Sequence, residues 1–213
     1  MSDSSPLPNA ADIFDRSWQR AWRGLGVAVP AAGLQARLLA CYAEPQRHYH
    51  SLQHLRECLE ALETSLHLAQ QPAEVELALW FHDAVYALQR SDNEKKSADW
   101  ARDALLAAAL PPALCQRVHD LVMATRHSAA PEATDEQLLV DIDLGILAAP
   151  ATRFAEYERQ IRAEYAFVPG WIFRRKRRAV LQSFLDRSHI YSTPHFFALH
   201  EAAARINLEA AVA

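Results

Sequence analysis

Leu52, Leu55, Leu59, Leu62 and Leu66 recur at intervals of three and four, a spacing that lines them along one face of an α-helix. It predicts a helix from about Ser51 to Leu68, with His54 inside it and His50 at its beginning. Ile13, Trp18, Ala21 and Trp22 mark another helix over 10–25, which Gly24 and Gly26 end. Pro30 suits the first turn of a helix running to Tyr42. Residues 73–86 are apolar nearly all round (Val75, Leu77, Leu79, Trp80, Phe81, Val85), as befits a central, buried helix. Five more helices are expected: over 94–110, from Pro111-Pro112 to near His127, from Thr134 through Asp143, from Pro150 through Tyr165, and over 171–185. A last one runs from Thr193-Pro194 to about Val212. Ser91-Asp92-Asn93-Glu94 and Thr134-Asp135-Glu136-Gln137 fit capping boxes, and residues 128–133 read as a loop. Sustained period-two alternation is absent. The pattern predicts one all-α domain over 10–213, a single-domain helical bundle, behind a disordered segment at 1–9.

Composition narrows the class. A length of 213 residues suffices for one core and is short for two domains. The net charge of -4 argues against a binder of polymeric nucleic acid. Cys41, Cys58 and Cys115 are widely spaced and form no CxxC pair, which fits reduced thiols in a cytosolic protein. Residues 1–10 contain no apolar signal region, and no apolar run approaches the ~18 residues of a membrane span. The expectation is a soluble cytoplasmic protein with no membrane partner, either a monomer or a homodimer.

Three apolar segments carry polar residues of the kind that bind metals. His82-Asp83 interrupts the run Ala78–Tyr86, His48, His50 and His54 fall within 47–55, and Asp141 and Asp143 sit among the aliphatic residues of 138–147. Burying an imidazole or a carboxylate in such surroundings is costly unless it is paired or bound to a metal. His50 and His54 share a helix face if the helix begins by His50. His82 and Asp83 diverge by about 100° on a helix, yet both can reach one ion at its surface. Two imidazoles and two carboxylates suit a divalent ion (Mn, Fe, Co, Ni, Zn or, with waters, Mg) rather than a cysteine-rich structural zinc site. A His-Asp dipeptide alone is common, and a histidine near a helix start is more often a cap. The order is what counts: H-x3-H, an HD pair 28 residues after His54, then a buried Asp on a later helix.

Tyr49-His50-Ser51-Leu52-Gln53-His54, Leu79-Trp80-Phe81-His82-Asp83-Ala84-Val85-Tyr86 and Asp141-Ile142-Asp143-Leu144 together resemble the HD-domain superfamily of metal-dependent phosphohydrolases. The likeness runs from about residue 15 to 210 and implies an all-helical HD-type core. It implies His54 as the first metal ligand, His82 and Asp83 as the central pair, and Asp143 in preference to Asp141 as the last. His50 resembles the general acid that some cyclic-nucleotide phosphodiesterases of the superfamily place one turn before the ligand; the plainer reading is a helix-start residue. Glu94 matches an acidic position that could orient the attacking water or a ligand histidine, besides its capping role. Arg47, Lys95, Lys96 and Arg126 are candidate phosphate clamps, and His127 could serve a second metal or the substrate. The basic run 174–178 reads as a solvated face, and Tyr157, Arg162 and Tyr165 mainly as packing, with Arg162 able to close a cleft. The implied activity is hydrolysis of a small phosphorylated metabolite or nucleotide through a metal-activated water. The alternatives are a di-iron oxygenase, for which only His119 and His127 supply further histidines before Asp143, and a binding module without turnover.

Overall fold

The computed structural model describes residues 12–28, 30–127 and 130–213, so the segment 1–9 lies outside the described residues. The apolar periodicity emerges as α1 (Asp12–Gly24), α2 (Leu34–Tyr42), α3 (Leu52–Ser65), α4 (Pro72–Phe81) and α5 (Asn93–Ala107). After these come α6 (Pro112–Ala124), α7 (Thr134–Asp143), α8 (Ala151–Glu164), α9 (Gly170–Leu185) and α10 (Pro194–Val212). Short 3-10 turns at Leu66–Leu68 and Leu144–Ala148 extend α3 and α7. No strand occurs among the described residues, and the architecture is an all-α bundle around one apolar core. No helix among them is long and apolar enough to cross a membrane.

Helix α4 forms the centre, buried at every position from Glu74 to Phe81. Trp80 meets Trp18 of α1 edge-on at 5.0 Å and donates its indole N–H to Ser17 at 2.9 Å. Gly24 lets α1 pass over the start of α4, since a Cβ there would come within 2.8 Å of the Ala73 Cβ. Two buried carboxylates on α4 find guanidinium partners on flanking helices. Glu76 pairs with Arg20 of α1 at 2.6 Å, and Glu74 with Arg117 of α6. A charge in this interior persists only when paired.

Several helix ends differ from the sequence expectation. Helix α4 stops at Phe81 rather than 86, placing His82 at its C-cap and Asp83 in the following turn. The last-turn carbonyls of Leu79 and Trp80 accept from His82 Nδ1 and the Tyr42 hydroxyl, and the Arg47 guanidinium takes those of Asp83 (2.5 Å) and Ala84 (3.0 Å) in the turn beyond. Helix α3 starts at Leu52 with Ser51 as its cap, which leaves His50 ahead of the helix. Helix α2 starts at Leu34 rather than Pro30, after Gly33 at φ 75°, a left-handed turn that glycine adopts freely. Neither expected capping box forms. Asn93 pairs with both backbone groups of Ala87, and Asp135 accepts from the amides of Gln70 and Gln71 at the start of α4.

Candidate metal centre

His54 on α3, His82 and Asp83 beyond α4, and Asp143 at the end of α7 point four ligand atoms at one spot. His54 Nε2 lies 3.0 Å from His82 Nε2, 3.1 Å from Asp143 Oδ1 and 3.6 Å from Asp83 Oδ2. His82 Nε2 lies 3.1 Å from Asp83 Oδ2 and 3.6 Å from Asp143 Oδ1. Atoms sharing one ion at about 2.0–2.2 Å stand roughly 3–3.5 Å apart in neighbouring positions. His54, Cys58, His82 and Asp143 each offer a ligand atom within 4.8 Å of the others and could hold a metal ion, with Asp83 beside His82.

The surroundings fix the orientation of these groups. His82 Nδ1 donates to the Leu79 carbonyl at 2.7 Å, which aims its Nε2 lone pair at the cluster. Burial disfavours charge on His82, yet Asp83 and Asp143 push its pKa up to about 9. Burial works against both carboxylates as well. Even so, His82, His50 and His54 hold Asp83 well below the usual range, and His127 and His54 do the same for Asp143. The Asp83 amide donates to the Tyr42 hydroxyl at 3.2 Å, anchoring the turn beneath the pair. His127 Nε2 bonds the other oxygen of Asp143 at 3.1 Å, and its backbone φ of 52° is a strained value that tertiary contacts must hold.

Of the two aspartates on α7, Asp143 stands at the cluster. Asp141 is buried elsewhere and accepts from the Ser192 and Thr193 amides and the Thr193 hydroxyl, tying down the start of α10. Cys58, which no sequence pattern singled out, lies close: its Sγ sits 3.7 and 3.8 Å from the two ring nitrogens of His54. Nearly equal distances put the sulfur beside the imidazole rather than in line with its Nε2 lone pair. Burial, reinforced by Asp143 and Asp83, pushes the thiol well above its ordinary value.

His50 lies next to the cluster, its ring centroid 6.0 Å from that of His54. Glu164, the last residue of α8, clamps it. One Glu164 oxygen accepts from the amides of His48, Tyr49 and His50 at 2.8–3.0 Å. The other bonds His50 Nδ1 at 2.8 Å and the Tyr86 hydroxyl at 2.9 Å. Burial opposes the charge, but these donors hold the Glu164 carboxyl down at about 2. Burial likewise opposes charge on His50, while Asp83 and Glu164 raise its pKa overall. Glu164 belongs to no sequence pattern we recognised. The available signal was an acid at a helix C-terminus, where the dipole disfavours it without a compensating partner.

A cleft of 590 Å³ opens over Asp83, Asp143, His50 and His127, and Glu94, Arg126 and Lys176 also line it. Arg126 and Lys176 are exposed and form no ion pair among the described residues. Lys176 belongs to the run expected to be a solvated face. Arg47 requires correction as a clamp: its guanidinium is consumed by Glu44 and by the carbonyls of His50, Asp83 and Ala84. Lys95 and Lys96 instead pair with Asp99 and Asp92 outside the cleft. Glu94 makes no side-chain cap. Arg162 bonds the carbonyls of Tyr165 and Val168, bracing the turn between α8 and α9.

Comparison of the chain with known protein families gives no match, and neither the curated proteins nor the solved structures supply one.

Proposed function

We propose that the protein is a metal-dependent phosphohydrolase of the HD type, acting on a small phosphorylated compound. The carrying observation is that His54 and His82 lie 3.0 Å from each other and each within 3.1–3.6 Å of Asp83 and Asp143 at the floor of a cleft. The H…HD…D order of these residues supports the same reading. Two nitrogens and two carboxylate oxygens suit a divalent ion such as Mn, Fe, Co, Ni, Zn or Mg. When bound, such an ion supplies Lewis acidity and a water of lowered pKa.

The protein's own groups supply the remainder. Glu164 holds the Nδ1 side of His50, leaving Nε2 as the nitrogen free to act. His50 hands a proton from Nε2 to the departing alkoxide as the bond between phosphorus and that oxygen breaks. The attacking water forms the new bond to phosphorus, and the proton it releases restores His50. Arg126 and Lys176, without ion pairs among the described residues, balance the charge of the phosphoryl oxygens. His127 keeps Asp143 turned toward the cluster.

The oxygenase alternative needs further imidazoles at the cluster. His119 is remote from it, beside Asp99 and Asp120, and His127 contacts Asp143 as a hydrogen-bonding partner. A phosphate-release screen with metal-loaded protein tests the proposal. Release that disappears in Asp83→Ala is expected; no release from any phosphate ester or anhydride would overturn it.

A further inference from the structure

The cleft divides into two chemically unlike parts. One end holds the metal-type cluster, His50 and the Tyr49 hydroxyl, which is shut off from solvent and has no hydrogen-bond partner among the described residues. The walls come from α8, α9, the segment between them and the 3-10 turn after α7, and they are mostly apolar (Ile146, Ile161, Phe167, Phe173, Val180 and Phe184), with Tyr157, Tyr165, Lys176 and Arg177 among them. Phe167 and Val180 remain 55% and 47% exposed, so the apolar surface continues out of the cleft.

Polar atoms along these walls are mostly committed already. The Thr125 hydroxyl donates to the Val122 carbonyl, Arg177 is paired with Glu158, and the Tyr86 hydroxyl is held by Glu164. Gln89, Glu94 and Tyr165, with Arg126 and Lys176 nearer the phosphate end, are the lining groups still able to bond a ligand. A sugar carries several hydroxyls, and each one buried here without a partner would cost affinity. A hydrocarbon body instead gains from every apolar wall it covers.

Resting on the phosphohydrolase reading, we infer that the substrate is the phosphate monoester of an apolar alcohol. Its phosphate lies at the cluster and its carbon body lies against Ile146, Phe173 and Phe184. The products are inorganic phosphate and the free apolar alcohol.

The test separates binding from turnover. Calorimetry on metal-loaded protein compares hexylphosphonate with methylphosphonate, neither of which has an ester bond to cleave. Tighter binding of the hexyl compound by at least about tenfold is expected, from burial of its extra methylenes. Phe173→Ser and Phe184→Ser should narrow that ratio severalfold, and a thermal melt checks that each variant is folded. In parallel, kcat/KM is measured for hexyl phosphate and glucose 6-phosphate, two primary alkyl esters of similar intrinsic reactivity, and the hexyl ester should be preferred. Equal binding of the two phosphonates, no binding of either, or a ratio untouched by both wall variants would overturn the inference, even with phosphate release intact. A hexyl preference in binding without turnover of any ester would overturn the hydrolase reading and the substrate assignment together.

Discussion

His54 Nε2 and His82 Nε2 stand 3.0 Å apart with two carboxylate oxygens beside them. Two imidazole lone pairs repel at that distance, so either a hydrogen carried by one of the two nitrogens or a metal ion lies between them. Because His82 Nδ1 already donates to Leu79, a proton on Nε2 would make the ring a full imidazolium. Metal binding should therefore displace protons. Titrating Mn²⁺ or Zn²⁺ into chelator-treated protein in weak buffer near pH 7 should release protons, and His82→Ala should release fewer. Binding without proton release would place the metal elsewhere.

His54 and His50 lie one turn apart in sequence and should fail differently. His54→Ala should lose metal and activity together. His50→Ala should retain metal while its rate falls by ~10²–10⁴, the usual worth of a positioned acid. That loss should shrink for p-nitrophenyl phosphate, whose leaving group needs no proton. Metal loss in His50→Ala would make that residue a ligand instead.

Glu164 ties acid stability to the His50 clamp. Its carboxyl titrates at about 2 in the folded protein, against ~4.3 in an unfolded chain. A depressed carboxylate stabilises the fold above the unfolded value and loses that effect as pH falls toward the folded one. The wild-type advantage over Glu164→Gln, both stripped of metal, should be full near pH 5.5 and shrink by on the order of 1–2 kcal/mol by pH 3. Urea unfolding at the two pH values measures it. A gap that stays constant or widens in acid would show that Glu164 is not the charged partner described.

Tyr49 presents the opposite situation, a buried hydroxyl with no partner among the described residues. Tyr49→Phe should cost no stability and could add up to about 1 kcal/mol, since an unsatisfied polar group leaves the interior. A marked drop in melting temperature would reveal a hidden partner.

The bundle and the cluster were legible in the sequence for one reason: both rest on local apolar patterning. Leucines spaced by three and four announce α3, and polar residues inside apolar runs single out His48, His50, His54, His82, Asp83, Asp141 and Asp143, among which the H…HD…D resemblance makes the choice. What escaped depends on partners far along the chain. The turn beyond Phe81 is held by Arg47, 36 residues before Asp83, which donates to the Asp83 carbonyl. Glu164 reaches His50 across 114 residues. The sequence predicts a phosphate clamp at Arg47 and a solvated face at Lys176. Only the packing shows that the first is consumed by backbone and the second lines the cleft.

The most direct measurement is metal content by mass spectrometry of elemental ions, on protein purified without chelator and then dialysed. About one equivalent of a divalent metal is expected for the wild type, falling to roughly a tenth or less in His54→Ala and in Asp143→Asn. Wild-type protein that retains no metal even after loading, or variants that retain as much as the wild type, would contradict a metal centre built from these four residues.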